Sequence, residues 1–546
     1  MTDPLSELRA AVQDAATTLR DGSGADAAAP VLERPPKAEF GDYSTNAAML
    51  LAPSLGEKPR GVAERLAGKL DQLLGERLER IEVAGPGFLN LFLSDRWYRR
   101  AAAELWAEGR ELGRLPEQLD ERVLVEFVSA NPTGPLTAAS GRHAAYGDAV
   151  ARTLELAGAG VEREYYLNDR GGQVELFTAS LAARIRDEPV PEGGYAGEYM
   201  GELARRLSSE GVEPEDLETL GGRGLELMTA EIRATLERFG ARFDHWFSER
   251  SLYESGAVEL ALSDLREAGH VYESEGATWF RSSAFGDDKD RVLIRSDGEP
   301  TYYLSDIAYH REKLERDPDG QLINVLGADH HGYGDRLKAG VAALGFDPDR
   351  LEVAIMQLVH VVESGERAQM SKRKGEFVTL DELIDDIGAD ATRFFLLQRS
   401  HDTPVDLDLE LARRTSNENP VYYVQYAHAR IASILRKAGD EPVGRAGRAE
   451  LGSIAAPVEP AERALIKRIC ELPLEVRETA DRRAPHRLCS YATATAADFH
   501  AFYRDCQVIG AEGEGVEEAR LALCLLTKRT IATTLALLGI TAPDRM

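Results

Sequence analysis

One unit of strand, loop, helix and strand constrains the fold of this chain more than any other feature. The run VLVEFV at 123–128 is short, apolar and rich in β-branched residues, which predicts a buried strand. The turn-rich loop SANPTGPL follows, then a helical pattern that ends at Gly158, and VEREYYL resumes an extended chain. One face of the predicted helix is apolar and consists of Tyr146, Val150, Leu154 and Ala157. This order predicts a βαβ unit with parallel strands.

The loop after the first strand is a candidate active site. Ligands of such a sheet bind at the carboxyl ends of its strands, which here selects residues 129–140. Glu126 interrupts the apolar run just before this loop, and a carboxylate in such a place needs a cationic or hydrogen-bonded partner. The run alone leaves open whether that partner is a ligand or a local salt bridge.

The patterning divides the chain into three units. Residues 1–110 combine helical patterns with the strand-like VAGPGFLNLFLS, which predicts a small α+β domain. Residues 121–400 predict an α/β, Rossmann-like parallel-sheet catalytic domain, because the parallel pattern returns in LINVLGAD and LEVAIMQLVHVV after an insertion at about 171–290. Residues 411–546 are helical almost throughout and predict an all-α domain.

A cationic loop lies near the end of the predicted catalytic domain. Arg367 to Lys374 holds four cations within eight residues, and cations on a loop can neutralise a polyphosphate as its leaving group departs. Thr379 and Glu382 then form a capping box that predicts a helix start. A charge run is more often a solvated face, so only the position after the last strand favours phosphate binding.

The charge of the chain is acidic but uneven. Its 546 residues include 65 Lys and Arg against 93 Asp and Glu, a net charge of −28 that opposes a polyanionic partner at long range. Residues 411–546, with 19 basic and 17 acidic residues, accommodate nucleic acid better. No apolar run approaches membrane-spanning length, so we expect a cytoplasmic protein without membrane contact.

The four cysteines do not suggest a metal site. They are far apart and none has CxxC spacing, so we expect buried helix residues and no metal bound by cysteine. These cysteines are Cys470, Cys489, Cys506 and Cys524.

Several long motifs occur in an order that resembles one enzyme family from end to end. They are EFVSANPTGPL, YYLNDRGGQ, YAGEY, FDHWFSE, PTYYLSDIAYH, LGADHHGY, MSKRKGEFVTLDELIDDIGADATRFF, NPVYYVQYAHARI and LGITAPDRM. The chain is identified by them as a member of the arginyl-tRNA synthetases, which are class I aminoacyl-tRNA synthetases. The resemblance implies an arginine–tRNA ligase whose partners are tRNA(Arg), L-arginine and ATP with Mg²⁺ as co-substrate. We expect a monomer with no protein-bound metal or organic cofactor.

The resemblance also implies roles for individual residues. The arginine side chain is expected to meet Glu126, Tyr302 and Asp306, and Ser129, Asn131 and Asp329 to hold its α-amino and α-carboxylate groups. Two carboxylates and a phenol suit a planar cation, and Tyr302 and Asp306 share a helix face because they are four apart. A helix salt bridge is the alternative for Asp306. Residues expected to bind ATP are Gly134, Pro135, Thr137, Ser140, His330, Met370, Ser371 and Lys372, the last of them on the phosphates.

The first class I signature, His-x-Gly-His, is altered in this chain. Residues 137–140 read Thr-Ala-Ala-Ser, so both histidines that contact the ATP phosphates in the family are missing. The hydroxyls of Thr137 and Ser140, with backbone N–H groups at the helix start, could replace them. His143 could supply an imidazole from the same helical face as Ser140, or be an ordinary helix residue. The protein could also be catalytically impaired.

Two groups of residues are expected to contact tRNA. Phe88 and Asn90 match positions that in some relatives recognise a base of the D-loop, although core packing is the alternative for Phe88. The helix expected to face the anticodon carries Tyr422, Gln425, Tyr426 and His428, unless these residues are buried. Two rival functions remain: a non-catalytic tRNA-binding paralogue, and a nucleotidyl-transferring enzyme acting on another small substrate.

Overall fold

The computed structural model describes residues 4–20, 31–35, 37–109, 112–115, 118–330, 332–367, 378–454 and 456–546. The N-terminal unit consists of α1 (Pro4–Arg20), β1 (Leu32–Glu33), β2 (Tyr43–Thr45), α2 (Ala47–Leu55), α3 (Pro59–Leu74), β3 (Leu78–Ala84), β4 (Phe88–Leu93) and α4 (Asp95–Glu108). Its strands form an antiparallel sheet in the order β1-β2-β4-β3. The predicted α+β unit is therefore confirmed.

The catalytic unit follows in two halves. The first half consists of β5 (Arg122–Glu126), α5 (Ala138–Ala157), β6 (Gly160–Leu167), α6 (Gly172–Ile185), α7 (Glu198–Ser209), α8 (Leu217–Arg238), β7 (His245–Ser248), α9 (Glu249–Glu254), α10 (Ala257–Glu267), β8 (Val271–Ser274), β9 (Ala277–Phe280) and β10 (Arg291–Ile294). The second half consists of α11 (Tyr302–Arg316), β11 (Gln321–Gly327), α12 (Tyr333–Ala343), β12 (Leu351–Met356), β13 (Val359–Glu363), β14 (Glu366–Arg367), α13 (Leu380–Leu397) and β15 (Val405–Asp408).

A five-stranded parallel sheet is the centre of this unit. Its order is β12-β11-β5-β6-β7, and every neighbouring pair is parallel. In the inner strand β11, the consecutive residues Leu322 and Ile323 are both buried, so apolar side chains cover both faces of the sheet there. The predicted βαβ unit is β5, α5 and β6, and the predicted apolar face of α5 is buried throughout.

The predicted insertion at 171–290 is wrong in one respect. Strand β7 lies inside that range, yet it pairs with β6 as the edge strand of the main sheet. The insertion is therefore two segments: α6 to α8 before the strand, and α9 to β10 after it. Trp246 of β7 stacks on Tyr165 with ring centroids 4.3 Å apart, so an aromatic contact across the sheet stabilises a strand too short to show a period.

A second small sheet leads to the cationic segment. Strands β14, β13 and β15 are neighbours in that order, and β14 ends at Arg367. Before α13, the Val378 carbonyl accepts a 3.2 Å hydrogen bond from the Ala138 N–H. The predicted capping box of Thr379 and Glu382 is present at the start of α13. Residues 368–377, including Met370, Ser371 and Lys372, lie outside the described residues.

The C-terminal unit is helical, as predicted. It consists of α14 (Leu409–Arg413), α15 (Pro420–Ala438), α16 (Asp440–Ala446), α17 (Pro460–Cys470), α18 (Leu472–Arg482), α19 (His486–Asp505) and α20 (Val516–Leu537). All four cysteines are free and buried, three within these helices and Cys506 directly after α19. Among the described helices, none combines the length and apolar character needed to cross a membrane.

A buried arginine, Arg393, joins the predicted catalytic unit to the C-terminal unit. Arg393 of α13 is fully buried and donates to Asp148 of α5, to the Phe239 carbonyl at 3.0 Å and to the Leu538 carbonyl at 2.8 Å. A side chain at Gly539 would overlap this guanidinium, since its Cβ would lie 2.2 Å from an Arg393 nitrogen. The pair therefore fixes α5, whose first turn faces the candidate site, against the end of the chain.

Candidate active site

A large cavity opens at the carboxyl edge of the parallel sheet. Its volume is about 1150 Å³, and its lining includes residues that directly follow each of the five strands. These residues include Val128, Ser129 and Thr137 after β5, Asn168 and Gln173 after β6, Glu249 after β7, Ala328 to His330 after β11, and Gln357 and Leu358 after β12. The loop after β5 therefore lines the cavity, as predicted, and that the cavity binds a ligand stays a prediction.

The backbone is strained where β5 enters the cavity. Val128 and Ser129 have φ values of 68° and 41°, and a β-branched residue rarely adopts a positive φ. The Ser129 hydroxyl donates to Glu126 Oε1 at 2.9 Å and accepts the Tyr166 N–H at 3.2 Å. The turn therefore folds Ser129 back over Glu126, so both side chains belong to one polar site.

Glu126 and Asp306 face the same cavity, as predicted for an arginine site. Glu126 is 6% exposed and accepts a 2.5 Å hydrogen bond from Lys313 Nζ. Asp306 is equally buried and accepts a hydrogen bond from the Tyr333 hydroxyl. Burial raises the pKa of Asp306 well above its ordinary value, against the hydrogen bond from Tyr333 and with the help of the Glu126 charge.

A third carboxylate, Glu249, was not predicted from the sequence. It begins α9, is 7% exposed and lines the cavity. Burial raises the pKa of Glu249 to about 7, against the opposing charge of Arg170. Tyr302, the predicted phenol, also lines the cavity, and its pKa is raised chiefly by Asp306 and then by burial. This end of the cavity is therefore acidic and largely desolvated, which suits an extended cation.

The remaining predicted substrate residues lie around this acidic end. Asn131 donates to Gln173 at 2.5 Å and accepts from Asn168 at 2.7 Å, so two residues that follow β6 fix its amide. Asp329 and His330 form a turn after β11 and line the cavity, with the Asp329 side chain 83% exposed. Gly134 and Pro135 line the wall contributed by the loop after β5.

The start of α5 forms the opposite end. Thr137 is the N-cap residue, and its hydroxyl accepts the Ser140 N–H at 3.4 Å. Because the Ala138 N–H is bonded to Val378, two of the first backbone donors of the helix are engaged within the fold. Ser140 and His143 line the cavity, and a Cβ on Gly327 would lie 3.7 Å from His143 Cε1. His143 therefore sits beside the end of β11.

Family models match all three units of the chain. Residues 6–93 match the arginyl tRNA synthetase N terminal domain, and residues 224–415 match the catalytic domain of the class I tRNA synthetases (R). Residues 424–546 match the DALR anticodon binding domain.

Similar proteins agree with these matches over nearly the whole chain. An arginine–tRNA ligase of Bacillus licheniformis is 45% identical over 94% of each chain. One from Desulforudis audaxviator is 45% identical over 99% of this chain and 97% of its own. This chain belongs to the arginyl-tRNA synthetase family. The solved arginyl-tRNA synthetase of Thermus thermophilus is 26% identical, with a TM-score of 0.76 over 99% of this chain and 100% of its own.

The expected position of the first class I signature is the start of α5. Thr137 and Ser140 lie there and His143 follows one turn later, whereas their correspondence to the signature histidines stays a prediction. The second signature, with Met370, Ser371 and Lys372, falls outside the described residues, so its arrangement stays a prediction.

The predicted tRNA contacts differ in exposure. Phe88 is 38% exposed at the start of β4, whereas Asn90 is buried and accepts from the Ser44 hydroxyl. On α15, Tyr422 and Tyr426 are half-buried and stacked, with ring centroids 6.0 Å apart.

Two predicted residues of α15 face the interior instead. Gln425 donates to the Thr541 carbonyl and to Asp390, and His428 is hydrogen-bonded to the Pro543 carbonyl. Both are buried because the C-terminal tail packs over them. They hold that tail in place and are largely shielded from solvent, in line with the alternative that these residues are buried, and their contact with the anticodon stays a prediction.

Proposed function

We propose that this protein activates L-arginine with ATP and esterifies it to the 3′ end of tRNA(Arg). The observation that carries the proposal is the acidic end of the cavity, where Glu126, Asp306 and Glu249 are all buried at the carboxyl edge of the sheet. A guanidinium presents donors in a rigid planar fork and stays charged when desolvated, so it is the amino-acid side chain that such a site favours.

The first step is attack of the arginine carboxylate on the α-phosphorus of ATP, which releases pyrophosphate. In our proposal Asp306, Tyr302 and Glu126 orient the side chain, while Ser129, Asn131 and Asp329 hold the backbone groups of arginine. The protein contributes mainly by positioning the two substrates and stabilising charge on the phosphates.

The phosphates are proposed to bind at the start of α5. Ser140 and His143 supply a hydroxyl and an imidazole there, and the positive end of the helix dipole favours an anion. Gly134, Pro135, Thr137 and His330 complete the ATP site, with Lys372 as the phosphate-binding cation of the second signature. Mg²⁺ enters with ATP as part of the co-substrate, since this ion prefers phosphate oxygens and water.

The second step transfers arginine to a ribose hydroxyl of the tRNA. Tyr422 and Tyr426 are proposed to stack on anticodon bases, because half-exposed aromatic rings beside Arg430 suit splayed bases. Phe88 is proposed to contact the tRNA from the N-terminal unit. We propose a cytoplasmic monomer, and the four free cysteines are consistent with a reducing compartment.

The test is charging of purified tRNA with each of the twenty amino acids. Arginine alone is expected to give ATP-dependent charging. If another amino acid is charged in its place, the proposal fails.

The altered first signature favours one other function, that of a tRNA-binding protein without catalysis. Arginine-dependent ATP–pyrophosphate exchange in the presence of tRNA decides between them. Tight tRNA binding without any exchange would select the non-catalytic alternative.

A further inference from the structure

Lys313 is a fully buried cation beside the proposed arginine site. Its side chain has 0% exposure, and its Nζ lies 2.5 Å from Glu126 Oε2 and 4.0 Å from the centroid of the Tyr309 ring. Lys313 lies seven residues after Asp306 on α11, which places both on one helix face two turns apart. An ammonium without water needs such partners, because its desolvation is otherwise prohibitive.

A second contact fixes the direction of this ammonium. Lys313 Nζ donates to Asn324 Oδ1 at 3.3 Å, and Asn324 Nδ2 lies 2.9 Å from His310 Nε2. Burial lowers the pKa of His310 to about 3, so its ring is neutral. Since His310 Nδ1 lies 2.7 Å from the Asp306 carbonyl, Nδ1 carries the proton and Nε2 accepts from Asn324. The Asn324 oxygen must then face Lys313.

Lys313 offsets part of the negative charge around the cavity. Three buried carboxylates, Glu126, Asp306 and Glu249, lie near a site that accepts one monovalent side chain. The charges of Glu126 and Glu249 raise the pKa of Asp306 beyond the effect of burial, and the charge of Lys313 lowers it. Lys313 therefore opposes proton uptake by a carboxylate that arginine needs in its ionised form.

We propose that Lys313 is a positioning residue for arginine binding, which holds the Glu126 carboxylate in place and offsets part of the negative charge that Glu126 and Asp306 bring to the cavity. This inference rests on the proposed function. Lys313 does not touch the substrate, so it acts on affinity for arginine and on the pH range in which arginine binds.

Other groups also face the Lys313–Glu126 pair and contribute to its electrostatic surroundings. They are Tyr302, Asp306, Tyr309, His310 and Glu312 on α11 and Tyr166 on β6, with Glu249 on α9 and Glu164 on β6 as charged neighbours of these groups. Arg316 is paired with Glu164 at 2.7 Å, so that cation is already compensated.

The experiment compares four proteins: wild type, Lys313→Met, Glu126→Gln and the double variant. The arginine KM and kcat are measured from pH 6 to pH 9 at saturating ATP and tRNA. Lys313→Met is expected to raise the arginine KM at pH 7 by about tenfold, with its pH profile displaced to higher pH, while kcat changes little. The displacement follows because removal of the ammonium makes protonation of Asp306 easier.

The other two variants reverse or cancel this displacement. Glu126→Gln removes a negative charge next to Asp306, so its profile is expected to move to lower pH than in the wild type. In the double variant both charges are absent, and its profile is expected to return to the wild-type position. Lys467→Met is the matched control: it removes a 2.8 Å ion pair with Asp42 far from the cavity, and the arginine KM should not change.

Several outcomes would overturn the inference. One is a Lys313→Met protein whose KM profile coincides with that of the wild type, and another is a loss of kcat at constant KM. If Lys313→Met does not fold, as judged by circular dichroism, the double variant with no unpaired buried charge replaces it. A double variant displaced as far as Glu126→Gln would then refute the role of Lys313. A wild-type protein that fails to charge tRNA with arginine would instead refute the proposed function.

Discussion

The two ends of the cavity use different means to attract charge. At the proposed arginine end, two of the three buried carboxylates are fixed by a specific partner, Glu126 by Lys313 and Asp306 by Tyr333. At the end formed by α5, the lining consists of a hydroxyl, an imidazole and the first turn of a helix. A helix start can attract phosphate in several ways, whereas a buried guanidinium requires opposite charges in defined places. In our proposal this difference allows the first signature to depart from the family pattern while the acidic end keeps its carboxylates.

The largest effect is expected when a carboxylate of the acidic end is neutralised. Asp306→Asn keeps the shape of the side chain but removes its charge, so the arginine KM should rise by about 100-fold, or about 3 kcal/mol. Steady-state charging of tRNA at saturating ATP measures this. Asp264→Asn is the control, because it removes the 2.8 Å pair with Arg311 on the outer side of the same helix and should leave KM unchanged. A fall in kcat without a change in KM would contradict the assignment of Asp306.

A smaller effect is expected in the pH dependence of arginine binding at the same end of the cavity. Burial raises the pKa of Glu249 to about 7 and also raises that of Asp306. A carboxyl is neutral below its pKa. Below about pH 7, arginine must therefore displace a proton from Glu249. The arginine KM should therefore fall as pH rises through about 7, by about tenfold per pH unit below that value. The arginine KM of Glu249→Gln should depend less on pH. An unchanged dependence would mean that Glu249 takes no part in arginine binding.

The smallest effect is expected from substitutions at the other end of the cavity, at the start of α5. His143→Ala should lower the rate of ATP–pyrophosphate exchange by about tenfold, the loss of one hydrogen bond to a charged group, with the arginine KM unchanged. Ser140→Ala, in the same turn, should reduce the rate by about threefold, as for a neutral hydrogen bond. Equal exchange rates for wild type and His143→Ala would mean that only the hydroxyls and the helix start bind the phosphates.

Local patterns predicted much of the fold and part of the site. The βαβ unit, the capping box at Thr379 and the common helix face of Tyr302 and Asp306 depend on residues close in sequence, and all three are present. The convergence of Glu126 on that helix face was implied only by the family resemblance, because no local pattern relates residues so far apart in the sequence.

Long-range partners account for what was missed. Lys313 in YHREKLER looks like an ordinary charged helix residue, and its burial depends on Glu126, 187 residues earlier. Gln425 and His428 are buried by a tail more than 100 residues away. Strand β7 has only four residues, and only its pairing with β6 distinguishes it from a loop.

The ion pair between Asp148 and Arg393 has a consequence for synthesis on the ribosome. A chain is made from its N-terminus, so Arg393 is complete 145 residues before Leu538, whose carbonyl it binds. Until those residues emerge, the nascent catalytic unit holds a guanidinium that lacks one of its acceptors. The buried core around Arg393 is therefore closed by a segment that is translated long after Arg393 itself.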